Sequence, residues 1–451
     1  MKVIVVGTSH AGYEAIETLL KEQPDAELHL YERGTTASFL SCGIQSYLEG
    51  ISESLDRLHY ATEKSYLEQK VTIHMNSDVI GIDPAGKKIT VKTENEETEE
   101  SYDKLIITPG AVPIELPIPG ADCENIFYVR GRDWAAKIKE RMKKAKKAVV
   151  VGGGYIGIEV AEAFAKAGIE TTVVDALDRV LATYLDTEFT DTLEAHMEQK
   201  GLKVRTGEMV KEIQDDKGSV AKVITDKGEY EADTVIMAVG VRPNTKWLQG
   251  IVELNEDGTV VIDDYMETSQ KDIFAAGDAT KVPFAPSNGS KLIALASNAR
   301  RQGVIAAKNI MEKEVKMPAV SGTSGLSLFD YNFASTGVKD CDSDTIEAEV
   351  ASTYVEERIR PAFMGDEDSV LMKIHFEKDS HRIVGAQLMS TYDITAAINT
   401  LSVCISAEWT LEQLALADFF FQPGYNRPWN FLNVLAQEAL GETFGSDKML
   451  F

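Results

Sequence analysis

The stretch AVVVGGGYIGIEVAEAFAKAGIETTVVD admits one local architecture: a buried strand, a glycine turn, a long helix and a second strand ending on Asp175. Gly152, Gly154 and Gly157 fall in the spacing G-x-G-x-x-G. Glycines so placed let the backbone close on a pyrophosphate at the helix N-terminus, and an acid about 20 residues later bonds a ribose hydroxyl. Asp175 stands where that acid belongs, and its carboxylate repels a 2′-phosphate, which predicts NADH rather than NADPH.

A second copy of the pattern opens the chain. KVIVV is a β-branched run, GTSHAG a turn, YEAIETLLKEQ a helix, and ELHLYE a strand ending on Glu32. Gly7 and Gly12 fit the glycine spacing, but Ser9 holds the second position. Two distant segments assign this first site to FAD. The GDAT turn at Gly277 and Asp278 sets a carboxylate against a ribityl chain, and the turn Thr108–Pro109–Gly110 closes over the nucleotide.

The predicted fold class is α/β, with two Rossmann-like dinucleotide-binding domains and a C-terminal α+β domain. YDKLIITPGAVP and LPIPG read as the exit from the first domain, and YEADTVIMAVGVRPN as a similar exit from the second. The expected boundaries are 1–112 for the first part of the FAD-binding domain and 113–245 for the NAD-binding domain. The chain then returns to the FAD-binding domain over 246–320, and the last domain spans 321–451. There the pattern changes to strands (SLFDYNFASTGV, VLMKIHF, IVGAQLM), two apolar helices and the loop DFFFQPGYNRPWN.

Composition narrows the function classes. The 451 residues carry a formal charge of −26, which argues against a nucleic-acid partner because polyphosphate binding needs a basic surface. No apolar run approaches the ~20 residues of a membrane span, and MKVIVVG is too short for a signal sequence. Cys42, Cys123, Cys341 and Cys404 are scattered without a C-x-x-C pair, so neither a disulfide framework nor a metal site is expected. A reducing, cytoplasmic setting fits.

Cys42 follows directly after the first unit, in SFLSCGIQSYLEG, at the expected start of a helix. A helix N-terminus favours the thiolate, so the spacing predicts a lowered thiol pKa and a nucleophilic sulfur.

These segments together resemble the pyridine nucleotide-disulfide oxidoreductase family. The resemblance runs through GTSHAGYEA, SFLSCG, YDKLIITPGAVP, GGYIGIE, GVRPNT, DIFAAGDAT, STGV and DFFFQP. Members that reduce disulfides carry C-x-x-x-x-C and a C-terminal His-Glu pair. Here Tyr47 stands where the second cysteine would be, and no histidine follows His381, so a dithiol mechanism is excluded.

What remains is the single-cysteine branch, closest in pattern to NADH peroxidases, with NADH oxidases next and coenzyme A-disulfide reductases further off. The resemblance implies a sulfur cycling between thiolate and sulfenic acid. It implies His10, Glu14 and Arg300 beside Cys42, and it weighs Glu14 and Arg300 toward hydrogen peroxide over dioxygen as substrate, because oxidases usually carry apolar residues there. For FAD it adds Thr8, Ser9, His10, Ala11, Arg33, Ser41, Cys42, Ala111, Arg130, Leu295 and Ala296. For NADH it adds Ile156, Tyr184 and Gly240, a mobile Tyr155, and Glu159 on the nicotinamide amide. It further implies that the last domain pairs two subunits into a homodimer or homotetramer. Phe419 to Phe421 are then expected to wall the sulfur with apolar surface.

Overall fold

The computed structural model describes residues 1–287, 289–365 and 367–442. Its first sheet is parallel and five-stranded, in the order Ile273–Ala275, Lys104–Ile107, Lys2–Val6, Glu27–Tyr31 and Thr72–His74. Helices cover a parallel sheet on its faces, so its strands are apolar runs; Val3, Ile4 and Val5 are fully buried. The helix His10–Glu22 buries Ala11, Gly12, Ala15, Ile16 and Leu19 along one side and packs there against Ala296–Lys308.

A second parallel sheet repeats the design, in the order Lys203–Arg205, Glu170–Val174, Lys147–Val151, Thr234–Met237 and Ile126–Tyr128. Its crossover helix is Tyr155–Lys166. Each parallel sheet is accompanied by a three-stranded antiparallel one, Asp78–Ser101 and Val210–Glu231. The two exit segments pair with each other, Ala111–Pro113 antiparallel to Val241–Pro243. They form a double connection between the two units.

The C-terminal part is an antiparallel five-stranded sheet covered by the helices Ile398–Ser406, Leu411–Ala415 and Phe431–Leu440. SLFDYNFASTGV, read as one strand, breaks at Phe329, whose φ is +51°, into the hairpin Ser324–Leu328 and Tyr331–Gly337. No helix among the described residues is long and apolar enough to cross a membrane.

Two polar knots tie the parts together. Glu162 accepts from the Phe329 amide at 2.6 Å and from Gln45 at 3.0 Å, and pairs with Lys166 at 2.8 Å. Lys373, 4% exposed, sits among Asp340 at 2.6 Å, Glu188 at 2.9 Å and Asp186 at 3.3 Å. His375 joins the same carboxylates, 2.9 Å from Asp340 and 3.2 Å from Asp186. Burial alone would lower His375, but its bonds to Asp186 and Asp340 hold it above the ordinary histidine value. Lys373 supplies the positive charge that these clustered carboxylates require, which fixes the second sheet's loop against the third sheet.

Candidate active site

The first glycine turn is set by close approach. A Cβ on Gly12 would stand 1.8 Å from the Gly7 carbonyl oxygen, so only glycine lets the helix start this near the strand. Thr108 donates to the Val6 carbonyl at 2.7 Å and closes the same corner. Ser9 is the N-cap residue, and Glu32 accepts from Thr8 and, at 2.8 Å, from the Gly34 amide.

These groups border a cleft of about 520 Å³ lined by Gly7, Thr8, Ser9, Glu32, Arg33 and Ser41. Thr108, Pro109, Gly110, Ala111 and Arg130 line it as well. Arg130 pairs with Asp278 at 3.6 Å, which brings the GDAT turn to the same wall. Gly277 lies against Ala11, and Leu295 is the N-cap residue of the helix that opens at Ala296. A cleft edged by a tight glycine turn, the acid Glu32 and an Arg–Asp pair fits a dinucleotide.

The second turn has the same construction. A Cβ on Gly157 would lie 1.9 Å from the Gly152 carbonyl oxygen. Asp175 accepts from the backbone amides of Gly153 and Leu177, the latter at 2.7 Å. Gly154 caps the helix, Ile156 is exposed on its first turn, and Gly240 has φ +102°. Tyr155 stacks on Tyr184 with ring centroids 3.9 Å apart, and its hydroxyl meets Ser324 Oγ at 3.0 Å. Burial pushes Glu159 up to about 7, with Glu162 and Glu49 adding to the shift.

Cys42 lies on a single tight turn, Ser41–Gly43, that leads into a helix of only six residues, Ile44–Glu49. It is exposed yet partly hemmed in by protein. That crowding pushes its thiol up, Glu159 and Asp278 push the same way, and its own backbone amide and Arg130 pull down. The lowered pKa expected from the helix start is therefore corrected. A six-residue helix has a weak terminal charge, and partial burial beside two carboxylates outweighs it. Asp278 comes from the first unit and Glu159 from the second, so Cys42 stands where the two units meet.

His10, Glu14 and Arg300 come together in one cluster, and Asp278 acts on both His10 and Cys42. Arg300 Nε donates to His10 Nδ1 at 3.3 Å, and the same guanidinium binds Glu14. An arginine only donates, so His10 Nδ1 carries the lone pair and its proton sits on Nε2. Burial lowers the His10 pKa, Arg300 lowers it further, and Asp278 and Glu14 only partly oppose them. Glu14 thus acts on His10 directly, and it also binds the Arg300 guanidinium that donates to His10. Tyr60, which sequence reasoning did not single out, completes the group. Its ring stacks on His10 at 5.2 Å, and Arg300 lies 4.9 Å from its centroid.

The apolar wall expected from Phe419 to Phe421 is not made within the chain. Phe419 packs on the core of the last domain, and Phe420 and Phe421 are exposed.

Residues 1–303 match the pyridine nucleotide-disulphide oxidoreductase family, and residues 323–430 match that family's dimerisation domain. The chain belongs to the pyridine nucleotide-disulphide oxidoreductase family. Within it, the chain is 45% identical over 443 residues to an NADH oxidase of Enterococcus faecalis, covering 98% of this chain and 99% of that one. A water-forming NADH oxidase from Lactobacillus brevis, solved with NADH bound, superposes with a TM-score of 0.95 at 41% identity, covering 98% of both chains. An NAD-dependent persulfide reductase from A. fulgidus also superposes at 0.95, with 28% identity, over 98% of this chain and 83% of that one. Family members named oxidase therefore resemble this chain end to end, and the narrower peroxidase expectation is not what these likenesses favour.

Proposed function

We propose that this protein is an FAD-dependent NADH oxidase that reduces dioxygen to water, with Cys42 as its redox-active sulfur. The observation that carries the reading is the pair of dinucleotide cradles that converge on one cysteine, on which Asp278 of one unit and Glu159 of the other both act. Likeness over nearly the whole chain to proteins named NADH oxidase supports dioxygen over peroxide as the substrate.

FAD fits the first cleft, held by Gly7, Gly12, Glu32, Thr108, Arg130 and Asp278, and supplies two-electron transfer between NADH and an oxygen species. The second cradle, from Gly152 to Gly157 with Asp175, holds NADH. Tyr155 and Tyr184 cover its inner end, and Glu159 takes the nicotinamide amide. The exposed Phe420, Phe421 and Tyr425 suit a homodimer in which each subunit closes the other's site.

At the sulfur the chemistry balances as follows. The Cys42 thiol gains one oxygen from hydrogen peroxide, the O–O bond breaks, and the thiol proton leaves with the other oxygen as water. Two electrons and two protons then return the sulfenic acid to the thiol with loss of a second water. His10 Nε2–H and the Arg300 guanidinium supply donors that orient the peroxide oxygens.

The same cluster was weighed toward a peroxidase from Glu14 and Arg300, but reduction of dioxygen to water also passes the oxidation level of hydrogen peroxide. Donors for peroxide beside Cys42 therefore suit both reactions. An oxygen electrode separates them. The oxidase reading predicts about two NADH consumed per dioxygen with no peroxide accumulating. Absence of oxygen uptake, with NADH consumed only when peroxide is added, would show a peroxidase instead.

A further inference from the structure

Tyr60 belongs to a segment tied to the one that carries Cys42. The Leu40 amide donates to the Leu58 carbonyl at 2.7 Å, and the Tyr60 amide donates to the Ser38 carbonyl at 3.1 Å. Its ring is held on three sides. It stacks on His10 at an interplanar angle of 15°, meets the edge of Tyr13 at 5.0 Å, and faces the Arg300 guanidinium at 4.9 Å. Such aromatic and cation–π contacts fix the orientation of His10 and Arg300.

The hydroxyl stands apart from those of Tyr66 and Tyr155. Tyr66 satisfies its hydroxyl on Ser38 at 2.7 Å, and Tyr155 on Ser324 at 3.0 Å. Tyr60 Oη is buried and has no hydrogen-bond partner of normal geometry among the described residues; the Ser9 side chain approaches it as a weak partner and lowers its pKa, and Cys42 raises it. Leaving a buried hydroxyl unbonded costs about 1–3 kcal/mol. A donor left unspent at that cost, close enough to Cys42 for the thiol to act on it, is explained by a ligand that accepts from it.

We infer that Tyr60 is the orienting residue of this site: its ring fixes His10 and Arg300, and its hydroxyl donates to an oxygen atom of the small oxidant that meets Cys42. This rests on the oxidase reading above and deepens it. The residue keeps its proton throughout, because burial pushes it up to about 12, so it serves as a hydrogen-bond donor and takes no part in proton transfer.

The test mixes NADH-reduced protein rapidly with hydrogen peroxide and follows oxidation of Cys42 in the wild type, Tyr60→Phe and Tyr60→Leu. Tyr60→Phe keeps the stacked ring and loses only the donor. Its peroxide rate constant falls about tenfold, as expected for one lost hydrogen bond, while flavin bleaching by NADH is unchanged. Tyr60→Leu loses the ring as well, and the His10 pKa then rises toward its ordinary value, a shift that Tyr60→Phe does not produce. Active wild type with a Tyr60→Phe rate constant within about twofold of it would overturn this inference alone. Wild type inert to both peroxide and dioxygen would overturn the functional reading, and this inference with it.

Discussion

Cys42→Ser converts the protein from a water producer into a hydrogen peroxide producer. NADH still reduces the flavin, because the second cradle, built on Gly152, Gly157 and Asp175, is a separate piece of backbone from the turn Ser41–Gly43. Oxygen uptake continues. What is lost is the sulfur that takes an oxygen atom and gives it up again; a serine oxygen has no comparable oxidised state. NADH consumption supported by added peroxide falls by roughly a thousandfold or more, the scale seen when a nucleophile is removed. Catalase added to the oxygen electrode should release oxygen from the variant's reaction and none from the wild type's. A variant that still made water would show Cys42 to be a bystander.

Gly157→Ala separates the two nucleotide sites. Its new methyl group would overlap the Gly152 carbonyl oxygen, at 1.9 Å, so the turn must move before anything can bind. A displacement of about 1 Å at a positioned reactant costs on the order of a hundredfold. The expected result is a KM for NADH raised by about that factor, with flavin content unchanged. Gly12→Ala is the mirror case. Its methyl group meets the Gly7 carbonyl oxygen at 1.8 Å, and it should lose flavin instead. Absorbance of the purified proteins and an NADH titration read both effects. Equal damage to both cofactors in either variant would contradict two independent cradles.

The α/β class and the paired dinucleotide folds were legible because strands buried on both faces must be apolar, as KVIVV and AVVV are, and because tight turns demand glycine. The antiparallel strands were not. Glu97–Ser101, ETEES, reads as a charged loop, and it is a strand because it pairs with Lys88–Lys92, where Lys88 meets Glu99 at 2.7 Å. Val350–Arg358 was missed for the same reason, being mostly polar and held by Ser369–Glu377.

The site shows a similar division. Cys42 was visible from its position after the first unit. The approach of Arg300 to Glu14 spans 286 residues, so no spacing rule gives it, and it came from resemblance alone. The thiol shift has the opposite sign to the expected one because the sequence shows a helix start but not the burial of the sulfur, nor the two carboxylates that add to it. Tyr60 left no signal in HYATEK, since its role arises from the rings packed around it.

The central claim is that one sulfur gains and loses an oxygen at the expense of NADH, and mass spectrometry of the Cys42 peptide tests it most directly. After exposure to one equivalent of peroxide, and trapping with a sulfenic-acid reagent, that peptide should carry the adduct. Addition of NADH before the trap should abolish it. A Cys42 peptide that never takes the reagent, or takes it equally with and without NADH, would contradict the account.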